Sequence, residues 1–362
     1  MKKGLIIALP IISLIIIGII LYFSLHYSTS PARLRAVIIK PVNCTGCYNM
    51  TPVLDQAGKL NARITSIKEI YYPKDISKEE LLRMNITRLP VLVISGQPLR
   101  YPQLIDFWDM LGARIDKKFL KQEVIIQPPE PVYYNLLNDS VYGYVNIIEI
   151  KPPDCKVCNN MSRFREMISH LCYISQYLVA DYNTELAQGL IEKYNITRLP
   201  AVILSPEAKE YKLLNMKWEN IGIIEKDNYL VSTQLTPPFY SIPENRVVGL
   251  VNLTYLYDPN CIECYDYNLH RATLERFYVK IVNESLVDIH SKEGRRLIEK
   301  YNITAIPTFI ASPDLKYYKE LMNIWDQVGT IEPDGFFVFR NMGKMPGRIY
   351  LDLETNETRM GG

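Results

Sequence analysis

The sequence predicts an α/β protein. Three tandem copies of one unit, each a mixed sheet flanked by helices, follow an apolar N-terminal segment. Three observations carry this prediction. Cys-x-x-Cys pairs recur at Cys44 and Cys47, Cys155 and Cys158, and Cys261 and Cys264. An Asn-Ile-Thr-x-Leu/Ile-Pro element recurs and ends at Pro90, Pro200 and Pro307, which lie 46, 45 and 46 residues after the first cysteine of their copies. The three tryptophans, Trp108, Trp218 and Trp325, each stand 18 residues after that proline and four before a glycine. Three markers in register three times define a repeat of about 108 residues.

The N-terminal segment opens Met1-Lys2-Lys3-Gly4 and continues as an uncharged apolar run from Leu5 to Phe23. A run of this length crosses a bilayer as a helix, and membrane helices tolerate a proline such as Pro10. Lys2 and Lys3 keep the N-terminus cytoplasmic and place everything after Tyr22 outside. A cleaved signal peptide is the competing reading. The run is longer than a signal core, and no clear small-x-small cleavage site precedes Arg33. The expectation is a single-pass membrane protein that meets the lipid bilayer through residues 5–23, with the repeats at the cell surface or in a lumen.

Ten Asn-x-Ser/Thr sequons begin at Asn43, Asn49, Asn85, Asn138, Asn160, Asn195, Asn252, Asn283, Asn302 and Asn356. The 23 asparagines and 33 serines and threonines of the chain predict about two by chance. Three of the ten belong to the repeated element. The remaining seven still fit a glycosylated, exported protein.

Each repeat is read in order as strand, redox loop, helix, strand, helix, strand. In the second, Val145 to Ile150 is an apolar strand, and Pro152-Pro153-Asp154 ends it. From Cys158 to Leu171 the spacing of Met161, Phe164, Ile168 and Leu171 is helical. Tyr173 to Ala180 is a second strand. Thr184 caps a helix ending near Tyr194, and Asn195 takes the left-handed position that stops it. Ala201 to Leu204 is the next strand. In the third repeat, Asp314 to Gln327 is read as an extra helix and Phe336 to Arg340 as the strand after it. The tryptophans are read as core anchors. Pro128-Pro129 and Pro237-Pro238 read as stiff spacers between repeats. The expected domains are an anchor over 1–30 and repeats over 31–135, 136–245 and 246–362.

Composition narrows the function. The chain has 362 residues, 48% of them apolar, and can bury several cores. Its net charge of +2 comes from both signs spread throughout, which gives no electrostatic case for nucleic acid. The 26 tyrosines are read as strand and surface composition.

Six of the seven cysteines lie in the pairs, each expected at a helix N-terminus. There the dipole and unpaired N–H groups would stabilise the first thiolate. That thiolate attacks a disulfide, and the second cysteine resolves the mixed disulfide. Strand, Cys-x-x-Cys, helix and then Ile/Leu-Pro before a strand resemble the thioredoxin superfamily. The resemblance covers most of each repeat, up to the strand after the proline. It implies three tandem thioredoxin-like domains. It also implies that Pro90, Pro200 and Pro307 are cis, pack against the disulfides and have neighbouring backbone that pairs with an extended substrate. The family often places a buried acid six residues before the first cysteine. Glu149 stands there in the second repeat, whereas Ile38 and Tyr255 replace it in the others. No histidine or proline separates any cysteine pair. Lys156 favours a thiolate and Glu263 opposes one.

Two other readings compete. Zinc would need two pairs in one compact unit, and here the pairs lie more than 100 residues apart. Alternatively, the disulfides are purely structural and the domains form a binding scaffold. Cys172 reads as a buried, inert thiol. The expectation is an extracytoplasmic thiol–disulfide oxidoreductase similar to the tandem-domain protein disulfide isomerases. Its partners would be cysteine-containing exported proteins and an unidentified redox partner. It would need no dissociable cofactor and no metal, because the cysteines carry the electrons.

Overall fold

The computed structural model describes residues 30–118, 121–158 and 161–362. The apolar run over 5–23 lies outside them, as does Asn160. Among the described residues no helix is long and apolar enough to cross a membrane. By packing, the chain divides into two compact units. The first runs to Val145 and includes 170–175 and 207–215; the second holds 146–169, 176–206 and 216–362.

The first unit contains β1 (Ala32–Pro41), α1 (Thr51–Lys59), β2 (Ala62–Tyr72), α2 (Lys78–Arg83), β3 (Arg88–Leu89), β4 (Val91–Gly96), α3 (Pro102–Met110), β5 (Arg114–Lys118) and β6 (Lys121–Ile126). The short strands β7 (Tyr133–Asn135) and β8 (Ser140–Tyr142) follow. The main sheet runs β2-β1-β4-β6-β5, with β1 and β2 parallel and the other neighbours antiparallel. A parallel pair needs a crossover, which α1 supplies. Alternation along β1 buries Ala32, Leu34, Ala36 and Ile38 on one face. That face packs on Val53, Leu54 and Ala57 of α1 and on Leu104, Phe107 and Trp108 of α3. The other face gathers Ile39, Val91 and Ile125 against Leu81 of α2. A reciprocal Ser77–Glu80 capping box starts α2.

The order recurs through β9 (Val145–Lys151), α4 (Ser162–Ser169), β10 (Ile174–Asp181), α5 (Glu185–Lys193), β11 (Arg198–Leu199), β12 (Ala201–Leu204), α6 (Lys212–Trp218), β13 (Gly222–Ile224), β14 (Leu230–Ser232), β15 (Phe239–Ser241) and β16 (Arg246–Val248). It recurs again through β17 (Leu250–Tyr257), α7 (Asn268–Arg276), β18 (Lys280–Asp288), α8 (Lys292–Tyr301), β19 (Ala305–Ile306), β20 (Thr308–Ala311), α9 (Lys319–Trp325), β21 (Gly329–Ile331), β22 (Phe337–Phe339), β23 (Ile349–Asp352) and β24 (Glu357–Met360). The main sheets are β10-β9-β12-β14-β13 and β18-β17-β20-β22-β21. Three mixed sheets flanked by helices therefore follow one another along the chain.

Thr184 caps α5 by accepting from the Ala187 N–H at 3.3 Å, and Asn195 has φ of 48°. Trp108, Trp218 and Trp325 are all buried. The Trp218 and Trp325 indoles donate to the carbonyls of Ile223 and Thr330, five residues on, at 3.0 and 3.1 Å. The intervening Gly222 opens β13 so close to Val231 that a Cβ would lie 2.0 Å from its carbonyl oxygen.

Three sequence expectations need correction. The helix expected from Cys158 begins at Ser162. Asp314 to Gln327 is not one helix but a 3-10 turn over Pro313–Tyr317 followed by α9. Tyr318 separates them in a non-helical conformation, with its ring buried and its hydroxyl donating to the Gly249 carbonyl at 2.7 Å. The proline-rich spacers lead into hairpins. Chain position 135 is the last residue of β7, and position 245 lies between β15 and β16; the strands on either side pair with each other.

Candidate active sites

Each Cys-x-x-Cys pair is a disulfide within its own repeat, with Cα–Cα distances of 5.6, 5.4 and 5.4 Å. All six cysteines are partly exposed. The bonds Leu89–Pro90, Leu199–Pro200 and Ile306–Pro307 are cis.

The pairs do not sit on helix N-termini. α1, α4 and α7 begin at Thr51, Ser162 and Asn268, each four residues after a second cysteine. The reason is visible in the first and third repeats. Asn49 Oδ1 accepts from the Thr51 N–H at 3.0 Å, and Asp266 Oδ1 accepts from the Asn268 N–H at 2.8 Å. Such local turns divert the chain before a helix starts. The dipole effect fades within a turn, so it gives these sulfurs little assistance.

In the first repeat, Cys44, Cys47 and Pro90 line one cleft of about 280 Å³, together with Ile38, Lys40 and Met50. Cys47 Sγ lies 3.8 Å from the Leu89 carbonyl oxygen. Two tyrosines touch the intervening dipeptide, whose residues are exposed. Tyr144 donates its hydroxyl proton to the Thr45 carbonyl at 2.8 Å, and the Tyr173 ring lies where a side chain on Gly46 would point.

In the second repeat, the Cys158 N–H points at Cys155 Sγ at 3.1 Å. Glu149 is buried and meets an arginine and a phenol. It accepts from the Tyr177 hydroxyl at 2.5 Å and pairs with Arg165 at 3.6 Å, while that guanidinium lies over the Tyr177 ring. Burial, followed by the Glu149 hydrogen bond, pushes the Tyr177 phenol up to about 12. Lys156 is exposed. Cys172 is buried and unpaired, and desolvation raises its thiol to about 12.

In the third repeat, Tyr265 follows the second cysteine and donates its hydroxyl proton to the Pro307 carbonyl at 2.6 Å. His270 Nε2 lies 2.9 Å from the same phenol oxygen. Burial against Phe309 and Phe339 pulls His270 down to about 4, so its imidazole is neutral. Ile262, between the cysteines, is 94% exposed.

The backbone before each proline is already paired. β3 pairs with β7, β11 with β15 and β19 with β23, matching Leu89 with Tyr134, Leu199 with Tyr240 and Ile306 with Leu351. One further bond recurs in all three: Leu136 to Thr87 at 2.8 Å, Ile242 to Thr197 at 2.9 Å and Leu353 to Thr304 at 2.8 Å. The edge that the family resemblance assigns to a substrate is thus occupied by the chain's own hairpin. Sequence reasoning missed these hairpins. In the first, the available signal is Asn138-Asp139-Ser140 between Tyr134 and Tyr142, turn residues flanked by aromatic strand residues.

No family model matches the chain, and no curated protein matches it. Among solved structures, full-length ERdj5 is 12% identical over 77% of this chain, with a TM-score of 0.17. This chain spans 41% of the ERdj5 chain. A protein disulfide oxidoreductase from Aeropyrum pernix K1 is 10% identical over 47% of this chain and 77% of its own, with a TM-score of 0.15. The zinc-bound form of human ERp44 is 11% identical over 81% of this chain and 83% of its own, also with a TM-score of 0.15.

Proposed function

We propose that this chain is a membrane-anchored, extracytoplasmic thiol–disulfide oxidoreductase. It acts on cysteine-containing exported proteins, with three thioredoxin-like repeats that join after the β7–β8 and β15–β16 hairpins. One observation carries the reading: in the first repeat the partly exposed Cys44 and Cys47 share one cleft with Pro90. A substrate thiolate attacks one sulfur of a pair, forms a mixed disulfide and expels the other as a thiolate. A second substrate thiolate attacks the substrate sulfur of the mixed disulfide, forms the substrate disulfide and expels the remaining protein cysteine as a thiolate. The substrate dithiol loses two electrons and the pair gains them; a redox partner then removes them. Pro90, Pro200 and Pro307 shape the substrate side of each site, and Glu149 serves the second as its buried acid.

Export is supported by the sequons. All nine sequon asparagines among the described residues are exposed. The bilayer anchor is residues 5–23. The test is catalysis by the full-length chain of disulfide exchange in a reduced or scrambled test protein. A rate above that of free thiol supports the reading, and no rate above it overturns it. A second reading, a scaffold with structural disulfides, is favoured by the turns that hold the first and third pairs off their helices. The same assay decides between them.

A further inference from the structure

The hairpins of the first and third repeats span their sites. On one side β7 and β23 pair with the strand before the proline. On the other, the Val132 carbonyl accepts from the Tyr48 N–H at 2.8 Å, and the Ile349 carbonyl accepts from the Tyr265 N–H at 2.8 Å. Tyr48 and Tyr265 directly follow Cys47 and Cys264. A self-strand therefore runs from the redox loop to the proline strand, along the edge where an extended peptide could add.

The three hairpins are held unequally. All of β15 is buried, as Phe239, Tyr240 and Ser241. In the first repeat Tyr133 is buried and the other five residues of β7 and β8 are half-buried, with Val132 and Leu136 buried on either side of β7. Of the eight residues in β23 and β24, Leu351 alone is buried, and β24 is exposed throughout. An Arg359–Asp352 ion pair at 3.0 Å links the two strands of this hairpin to each other.

We propose that β23–β24 is a displaceable stand-in for an extended polypeptide, and that such a polypeptide binds the Cys261–Cys264 site by replacing β23 on Ala305–Ile306. The hairpins over the other two sites stay in place. The third repeat then accepts peptides, while the first two exchange only with partners that need no strand addition. This rests on the proposed exchange activity and assigns its peptide substrate to one repeat.

The test uses full-length chains carrying Cys47→Ser, Cys158→Ser or Cys264→Ser, each leaving one first cysteine as a thiol. The probe is an extended peptide whose single cysteine is disulfide-linked to a small thiol. The protein thiolate attacks the peptide sulfur, the protein–peptide disulfide forms, and the small thiol leaves with the electron pair. The peptide should load onto Cys261 at least about tenfold faster than onto Cys44 or Cys155, because access governs exchange rate. Amides of residues 349–352 should lose hydrogen-exchange protection in the loaded protein. A small symmetrical disulfide should react with all three thiols and show no preference for Cys261. Equal peptide rates, or undiminished protection of 349–352, would overturn the inference. If the small disulfide also fails to react, the exchange reading itself falls.

Discussion

Glu149 and Tyr177 meet at 2.5 Å across neighbouring strands, and the third repeat holds the same pair with the two residues exchanged: Tyr255 donates to Glu284 at 2.8 Å. An arginine at the fourth position of the following helix joins each, Arg165 in one and Arg271 in the other. By register and helix position, the first repeat places Ile38, Ile67 and Leu54 at the same three sites. The triad is therefore either wholly polar or wholly apolar, which is the pattern of mutual satisfaction.

The exchange predicts a compensation. Glu149→Ala should cost about 1–3 kcal/mol by leaving the Tyr177 hydroxyl unpaired. The double change Glu149→Tyr with Tyr177→Glu should recover most of that loss in urea unfolding. If Glu149 also moves protons for Cys155–Cys158, the double variant should lose exchange by that repeat while remaining folded.

Acid should destabilise the third repeat through His270. Its pKa lies at about 4 in the folded chain because burial disfavours the cation, against about 6.5 unfolded. Its contribution is complete above pH 6.5 and is lost as pH falls from 6.5 towards 4. The loss is about 3 kcal/mol. Urea unfolding at pH 4.5 and 7.5 should show it in the native chain, and His270→Phe should flatten it.

Gly46→Ala should weaken the first repeat. Gly46 has φ of +71°, and its added carbon would lie 2.2 Å from Tyr173. The backbone conformation alone costs about 1–3 kcal/mol for a residue with a side chain. Tyr173→Ala should relieve the contact but not the conformation, so thermal unfolding of the double variant should recover only part of the loss.

Cys44→Ser, Cys155→Ser and Cys261→Ser should each remove one repeat's share of exchange activity. The largest loss is expected from Cys155→Ser, because Lys156 favours a thiolate there. The triple variant should be inactive and folded by circular dichroism, since a three-residue ring restrains little of the unfolded chain.

The repeat was legible because its cysteines and tryptophans are rare and keep their spacing to one proline in each copy. Thr184 and Asn195 were legible because capping and left-handed backbone each favour few residue types. The helix start was not. Met161, Phe164 and Ile168 give a helical period, but the period does not say where the helix begins, and Asp266 and Asn49 decide that through single turns. The hairpins escaped because β7, β8, β15 and β16 have three residues each, too short for alternation to register. The Glu–Tyr–Arg triads around Glu149 and Tyr255 escaped because they join strands some thirty residues apart.

The pairing of Leu89 with Tyr134, Leu199 with Tyr240 and Ile306 with Leu351 has a consequence in time. The covering strand is made about forty residues after the edge it covers. At synthesis rates of about 5–20 residues per second, each disulfide site of a nascent chain stands uncovered for about 2–8 seconds. Extended segments of the same emerging chain are then its nearest neighbours, so under the proposed exchange activity the order of synthesis gives every repeat one interval in which its own unfinished polypeptide is the first peptide within reach.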